Sequence, residues 1–136
     1  MAIGKPSGFL DIATGELMKN QKNQNVFNAT LEDFEALVLQ KSAEKPVLVD
    51  MWADWCSPCV VVGPILEKVV EEYEGQILLA KIEVDDGENM KLAGRYHVRG
   101  FPTVILFEDG QEKARFSGAK PKHFIEQFVE DNSDKL

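Results

Sequence analysis

The two cysteines of the sequence, Cys56 and Cys59, are separated by two residues and stand where an apolar run ends and a helical pattern begins. A helix N-terminus offers free backbone N–H groups and a positive dipole end, which favour an anion. We therefore predict that Cys56 is held as a thiolate, the nucleophile of disulfide exchange. Cys59, one turn further along, is predicted to be a buried resolving thiol. The alternative is a pair of core cysteines without chemistry.

Two further uses of cysteine fit the chain poorly. A secreted disulfide scaffold would carry more cysteines, spread along the sequence. A zinc site needs about four ligands, and the remaining candidates, His97 and His123, do not follow zinc-ligand spacing. We therefore expect no bound metal. Because a lone C-x-x-C is a weak signal of function, the residues around the motif must show whether it is a redox site.

Two charged residues interrupt apolar runs close to this motif. Asp50 lies in the middle of the run 47–52, where burial would raise the pKa of its carboxyl group. Placed beneath the cysteines, it can take the proton of Cys59 directly or through a water. Lys81 lies in the next apolar run and could approach Asp50 from a neighbouring strand. The alternatives are a solvent-facing aspartate at a strand end and a solvated lysine at the sheet margin.

Two prolines stand at informative positions. Pro58 lies in the first helical turn, where its missing N–H costs nothing. We expect it to stiffen the loop and to keep the two sulfurs within disulfide reach, although it is also an ordinary first-turn proline. Pro102 follows Gly100-Phe101 at the start of a strand, where it cannot donate to a ladder. The spacing leaves open whether its peptide bond is cis.

The elements that must position these residues alternate in the order β-α-β-α-β-α-β-β-α. Such alternation predicts an α/β fold with a largely parallel sheet, to which a late hairpin at Asp109-Gly110 adds antiparallel strands. The predicted strands are 26–27, 46–52, 77–84, 103–107 and 114–117. Helices are predicted over about 31–38, over 56–73, after Asp86-Gly87 and after Pro121. Residues 26–136 thus form one predicted domain.

Residues 1–25 are interpreted as an N-terminal extension, because the run 20–25 is polar and lacks periodicity. Whether the extension docks on the domain or stays flexible is open. The 23 acidic and 15 basic residues give a net charge of -8, which repels nucleic acid and anionic membranes. No apolar run approaches the roughly 20 residues of a membrane span, and no secretory signal is recognised. We expect a cytoplasmic monomer; a periplasmic chain stripped of its leader would look the same.

Taken together, residues 26–130 resemble the thioredoxin family. The resemblance rests on the segments 49–59 (VDMWADWCSPC), 64–66 (PIL), 80–81 (AK), 84–85 (VD), 98–103 (VRGFPT) and 118–119 (GA). It implies a thioredoxin fold with a central mixed five-stranded sheet flanked by four helices. It also implies a protein-disulfide reductase that acts on disulfide-containing substrate proteins. No cofactor would be bound, and an NADPH-dependent thioredoxin reductase would regenerate the dithiol, as in electron transport and cell redox homeostasis.

The resemblance also assigns roles to individual residues. It implies Cys56 as nucleophile, Cys59 as resolving thiol and Asp50 as the buried acid with Lys81 beside it. It implies that the bond before Pro102 is cis and that this proline packs against the disulfide. The substrate would lie on a flat apolar patch and pair with the backbone before Pro102. The residues implied or expected to contact the substrate are Trp55, Ser57, Pro58, Gly100, Phe101, Pro102 and Gly118.

Two departures from the family pattern bear on partners rather than on the reaction. Ser57 stands where glycine is usual, and Val60 stands where lysine is common. The first can change the reduction potential and the fit of the substrate, and the second can change recognition by a reductase. Two alternatives remain open at this stage. One is a disulfide oxidase or isomerase, which would need a more oxidising potential, and the other is a co-chaperone or binding module whose redox pair is incidental.

Overall fold

Five strands form a single mixed sheet in the computed structural model, which describes residues 23–136. The strands are β1 (Val26–Asn28), β2 (Val47–Trp52), β3 (Leu78–Glu83), β4 (Thr103–Glu108) and β5 (Gln111–Ser117). Their order across the sheet is β1-β3-β2-β4-β5. β3 is parallel to β1 and to β2, whereas β4 is antiparallel to β2 and to β5. The predicted mixed five-stranded sheet is confirmed.

Four helical segments flank the sheet, as predicted. The first is a π-helix, Glu35–Gln40, followed by a 3-10 turn, Lys41–Ala43; the others are α1 (Ser57–Glu72), α2 (Met90–Arg95) and α3 (Lys122–Asn132). None of the helices within residues 23–136 combines the length and the apolarity that crossing a bilayer requires. Residues 1–22 of the predicted extension lie outside the described residues. Its last three residues, Asn23–Asn25, form a 3-10 helix ahead of β1.

The central strands bury both faces, because helices cover both sides of the sheet. Successive strand residues point to opposite faces, so alternate positions of β2 enter two separate core clusters. On one face Val49 and Met51 pack with Phe34, the N-cap of the first helical segment, and with Leu92 of α2. On the other face Leu48 lies in the cluster to which α1 and α3 contribute their apolar sides. Asp50 has the same parity as Leu48, so it points toward α1 and α3.

The exact ends of several elements differ from those predicted by periodicity. Pairing of β5 begins at Gln111 rather than near Ala114, because Asp109 and Gly110 both adopt positive φ angles (54° and 76°). This is the backbone of a tight type I′ turn, which lets the strands pair directly beyond it. The helix predicted to open at Asp86-Gly87 begins only at Met90. The side chain of Asn89 instead bonds to the backbone of other segments.

Candidate active site

Cys56 and Cys59 form a disulfide at the start of α1, with their Cα atoms 5.3 Å apart. Cys56 is the N-cap of the helix and has extended backbone angles, while Pro58 lies in the first turn. The Sγ of Cys56 accepts a hydrogen bond from the backbone N–H of Cys59 at 3.3 Å. The predicted placement of Cys56 at a helix N-terminus is therefore confirmed. The same N–H can stabilise negative charge on that sulfur after the disulfide is reduced.

The two cysteines are almost equally buried, although one is the N-cap of α1 and the other lies inside the helix. Cys56 is 5% exposed and Cys59 is 3% exposed, so the disulfide form lacks the contrast in accessibility that the sequence suggests. The bond ties both sulfurs to one helical turn, which shields them together. Ser57 and Pro58 between them are exposed. An asymmetry between the two sulfurs must therefore arise from the N-cap position of Cys56.

Asp50 is buried in the centre of β2, with 1% of its surface exposed. Neither carboxylate oxygen has a hydrogen-bond partner among the described residues. Burial raises the pKa of Asp50 to about 7, an effect that Lys81 opposes and Glu67 reinforces. The alternative of a solvent-facing aspartate is wrong. At neutral pH this carboxyl group exchanges a proton readily, which is the property that a general base requires.

Lys81 lies directly opposite Asp50 in the parallel register of β2 and β3. Its ammonium group does not hydrogen-bond to that carboxylate but binds Glu67 of α1, with 2.8 Å between Nζ and Oε2. The same Nζ lies 5.5 Å from the centre of the Trp52 ring. The lysine therefore approaches Asp50 from the neighbouring strand, as the sequence suggested, and lowers the pKa of that carboxyl group without a hydrogen bond to it. It bridges the sheet and the helix.

Glu67 is a member of this cluster that the sequence analysis missed. It lies one helical turn after Gly63, and a Cβ placed on Gly63 would stand 3.8 Å from Lys81 Nζ. Gly63 and Glu67 thus share the side of α1 that meets the lysine. The spacing of a glycine and a glutamate at i, i+4 was the only signal in the sequence. It says nothing of which strand residue the helix faces.

An exposed aromatic surface adjoins the disulfide. Trp55 is 64% exposed, and its indole Nε1 donates a hydrogen bond to Asp85 at 2.5 Å. Its ring meets that of Phe101 edge to face, with 6.2 Å between centroids. Val60 and Val61, just after the second cysteine, are also exposed. These two valines are exposed apolar side chains that the substrate patch expected from the sequence did not include.

The loop before β4 holds the remaining predicted residues. The Phe101-Pro102 bond is cis, as the family resemblance implies, and Pro102 is buried. The carbonyl of Pro102 accepts a hydrogen bond from Gly118 N at 3.0 Å, and Gly118 has a φ of +90°, a conformation that glycine adopts without strain. Thr103 donates to the carbonyl of Gly100. These hydrogen bonds connect the loop that contains Gly100 and Pro102 to Gly118, which follows β5.

A metal centre does not emerge from these side chains. Within residues 23–136, the histidine, cysteine, aspartate and glutamate side chains form no group of three or more arranged to hold an ion.

Comparison with known proteins places this arrangement in a family. The sequence model of the family described as Thioredoxin matches residues 25–131. The chain belongs to the thioredoxin family. A thioredoxin of Pseudomonas aeruginosa is 39% identical over 110 residues, which cover 81% of this chain and 98% of that protein. A thioredoxin of Chlorobaculum thiosulfatiphilum is 38% identical over 78% of this chain and 94% of its own length. One of Acidithiobacillus ferridurans is 41% identical over 73% and 88%.

Family membership and the disulfide geometry agree on the reaction. The thioredoxin domain spans the whole sheet with its helices, and Cys56 and Cys59 are close enough to be joined. The protein is a thioredoxin-type disulfide reductase that works by dithiol–disulfide exchange. These findings favour reduction over the oxidase and the binding module considered from the sequence.

Proposed function

We propose that Cys56 and Cys59 divide the exchange reaction between them. The Cys56 thiolate attacks a disulfide of a substrate protein and forms a mixed disulfide, and one substrate sulfur leaves as a thiolate. Cys59 then attacks the Cys56 sulfur, and the second substrate thiolate leaves. The substrate gains two electrons and two protons, while the pair closes to the Cys56–Cys59 disulfide. The observation that supports this order is the Cys59 N–H donated to Cys56 Sγ at the helix N-cap.

In this mechanism Asp50 is the base for the second step. Cys59 must lose its proton before it attacks, since the thiolate is the nucleophile. A carboxylate buried without a partner is a stronger base than one in water, because burial disfavours its charge. The position of Asp50 on β2, which leads directly into the cysteine turn, supports this role. The proton passes to Asp50 directly or through a water.

The substrate surface proposed from the sequence gains two members. An extended substrate segment would lie across Trp55 and Phe101 and pair with the backbone before Pro102, a form of strand addition. Ser57, Pro58, Gly100 and Gly118 would border it. Val60 and Val61 would extend the contact along the first turns of α1, since both side chains are exposed beside the disulfide.

For regeneration we propose an NADPH-dependent thioredoxin reductase, acting on a monomer in the cytoplasm. The family supports the type of partner. The cytoplasm is the compartment in which thiols are kept reduced, so the dithiol would be restored there. Val60, in place of the usual lysine, would give the reductase an apolar rather than a charged contact beside the disulfide.

Two measurements test the proposal. Wild-type protein should reduce insulin disulfides in the presence of dithiothreitol, and Cys56→Ser should lose this activity. Cys59→Ser should accumulate a mixed disulfide, identified by non-reducing electrophoresis and mass spectrometry, whereas Cys56→Ser should not. If only Cys56→Ser traps the substrate, the two roles are reversed. A reduction potential near the value of about -270 mV that is typical of thioredoxins would fit a reductase, and one near about -120 mV an oxidase.

A further inference from the structure

The Lys81–Glu67 ion pair links the buried base to the surface of the protein. Lys81 leaves β3 on the same face as Asp50, and its ammonium reaches Glu67 Oε2 at 2.8 Å. Glu67 is half exposed, whereas Asp50 is buried and accepts no hydrogen bond within residues 23–136. The Lys81 ammonium is thus shared in its surroundings by two carboxylates, the buried one of Asp50 and the half-exposed one of Glu67. It is bonded to Glu67.

Few charged groups act on Asp50. Lys81 on β3 lowers the pKa of Asp50, and Glu67 on α1 raises it. Its register partner on β4 is the apolar Val104. In the proposed mechanism the Cys59 thiol is a further titrating group that exchanges a proton with Asp50 once the disulfide is reduced. Burial has the largest effect on the pKa of Asp50 and the Lys81 ammonium the next largest, so a movement of that ammonium would change the ionisation of Asp50.

We propose that Glu67 is a positioning residue for the resolving step, because it holds the Lys81 ammonium against α1 and away from Asp50. The inference rests on the proposed role of Asp50 as the base for Cys59. The lysine side chain is a flexible chain of four carbons, so an ammonium released from Glu67 can turn toward Asp50, its register partner on β2. Asp50 would then be a stabilised carboxylate and a weaker base.

Removal of Glu67 should lower the pKa of Asp50 by two routes. The negative charge of Glu67 itself opposes the ionisation of Asp50, so its removal favours the carboxylate. The released ammonium favours the carboxylate as well, since an opposite charge nearby lowers a carboxyl pKa. Only the second route requires Lys81. A double-mutant cycle between the two positions therefore separates positioning from plain charge.

The test follows the Asp50 side-chain carboxyl by carbon-13 NMR in the oxidised full-length chain. Four proteins are titrated: wild type, Glu67→Gln, Lys81→Met and the double variant. We expect Glu67→Gln to lower the titration midpoint of Asp50 by roughly 0.5 pH units or more. In the Lys81→Met background the same substitution should have less than half that effect. Equal effects in both backgrounds, or no change in either, would overturn the proposal.

Two further variants guard against a merely structural effect. Glu72→Gln removes another carboxylate of α1, one that pairs with Lys122, and should leave the Asp50 midpoint unchanged. Glu67→Asp keeps the negative charge and should restore most of the wild-type midpoint; a midpoint equal to that of Glu67→Gln would count against the proposal. The midpoint of the Cys59 resolution rate against pH should move with the NMR midpoint. If neither cysteine variant lost insulin reduction, the proposed function would be refuted. The result of the NMR cycle would still stand.

Discussion

Asp50 and Lys81 face each other across β2 and β3, yet neither satisfies the hydrogen-bonding needs of the other. The lysine bonds to Glu67, and the aspartate keeps two buried oxygens without partners. An uncompensated acid in the core destabilises a protein. Its presence on the strand that leads into the cysteine turn is intelligible if the raised pKa serves proton transfer, because perturbed pKa values are common at functional sites.

The first prediction concerns stability against pH. The pKa of Asp50 is about 7 in the folded protein against an ordinary value of 3.8. The unfolded chain therefore releases this proton more easily, and folding is penalised as pH rises from about 4 to about 7. Above pH 7 the penalty is complete, on the order of 4 kcal/mol. Asp50→Asn should raise the free energy of unfolding near pH 8 much more than near pH 4, as measured by urea denaturation at both pH values.

A matched control for this effect is Asp54→Asn, which changes an exposed aspartate in the turn that follows β2. Its free energy of unfolding should follow the wild-type pH dependence. If Asp50→Asn also follows that dependence, the carboxyl of Asp50 is not perturbed by burial.

The second prediction concerns the resolving step. Asp50→Asn cannot accept the Cys59 proton, so the mixed disulfide should decay more slowly, by roughly tenfold at about pH 8. The attack of Cys56 on the substrate should change little, because it does not use this base. Stopped-flow measurement of substrate release in single turnovers separates the two steps. An unchanged rate of decay would remove Asp50 from the mechanism.

The sequence was sufficient to predict the parts of the site that depend on local patterns. Cys56 lies where an apolar run meets a helical one, and Asp50 stands out because it breaks that run. The order of strands and helices along the chain also followed from alternation, whereas the order of the strands across the sheet did not. Glu67 shows where this reasoning stops: along α1 it is one more helical glutamate, and its partner lies 14 residues further, on a strand. Only the packing of that helix on the sheet brings the two together.

Other differences arise from side chains that compete with helix formation. The segment predicted as a helix over 31–38 is a π-helix from Glu35 to Gln40. Before it, the N–H of Thr30 donates a hydrogen bond to the carboxylate of Asp33 at 2.6 Å, which is one of the two bonds of a capping box. Apolar spacing cannot distinguish an α-helix from a π-helix in one or two turns, because both keep Phe34 and Val38 buried.

The third prediction concerns the exposed aromatic ring beside the disulfide. Trp55 contacts Phe101 and Asp85 but is mostly exposed, so Trp55→Ala should cost little stability. It should raise KM for insulin severalfold, because large aromatic contacts contribute strongly to protein recognition. Leu136→Ala is the control, since it removes an exposed apolar side chain that lies beside Lys45 and Gln76. Equal kinetic effects of the two variants would show that Trp55 has no special place in substrate binding.

The fourth prediction concerns Asn89, a buried amide that ties two segments together. Its Oδ1 accepts from Leu31 N at 2.8 Å, and its Nδ2 donates to the carbonyl of Glu83 at 2.9 Å. Asn89→Ala should lower the free energy of unfolding by about 2 kcal/mol, because both backbone groups lose a partner in a partly buried site. Asn132→Ala, which removes one bond to Phe128, should lose about 1 kcal/mol in urea denaturation. If the two alanine variants unfold alike, the bridge through Asn89 contributes no more than an ordinary helix-end contact.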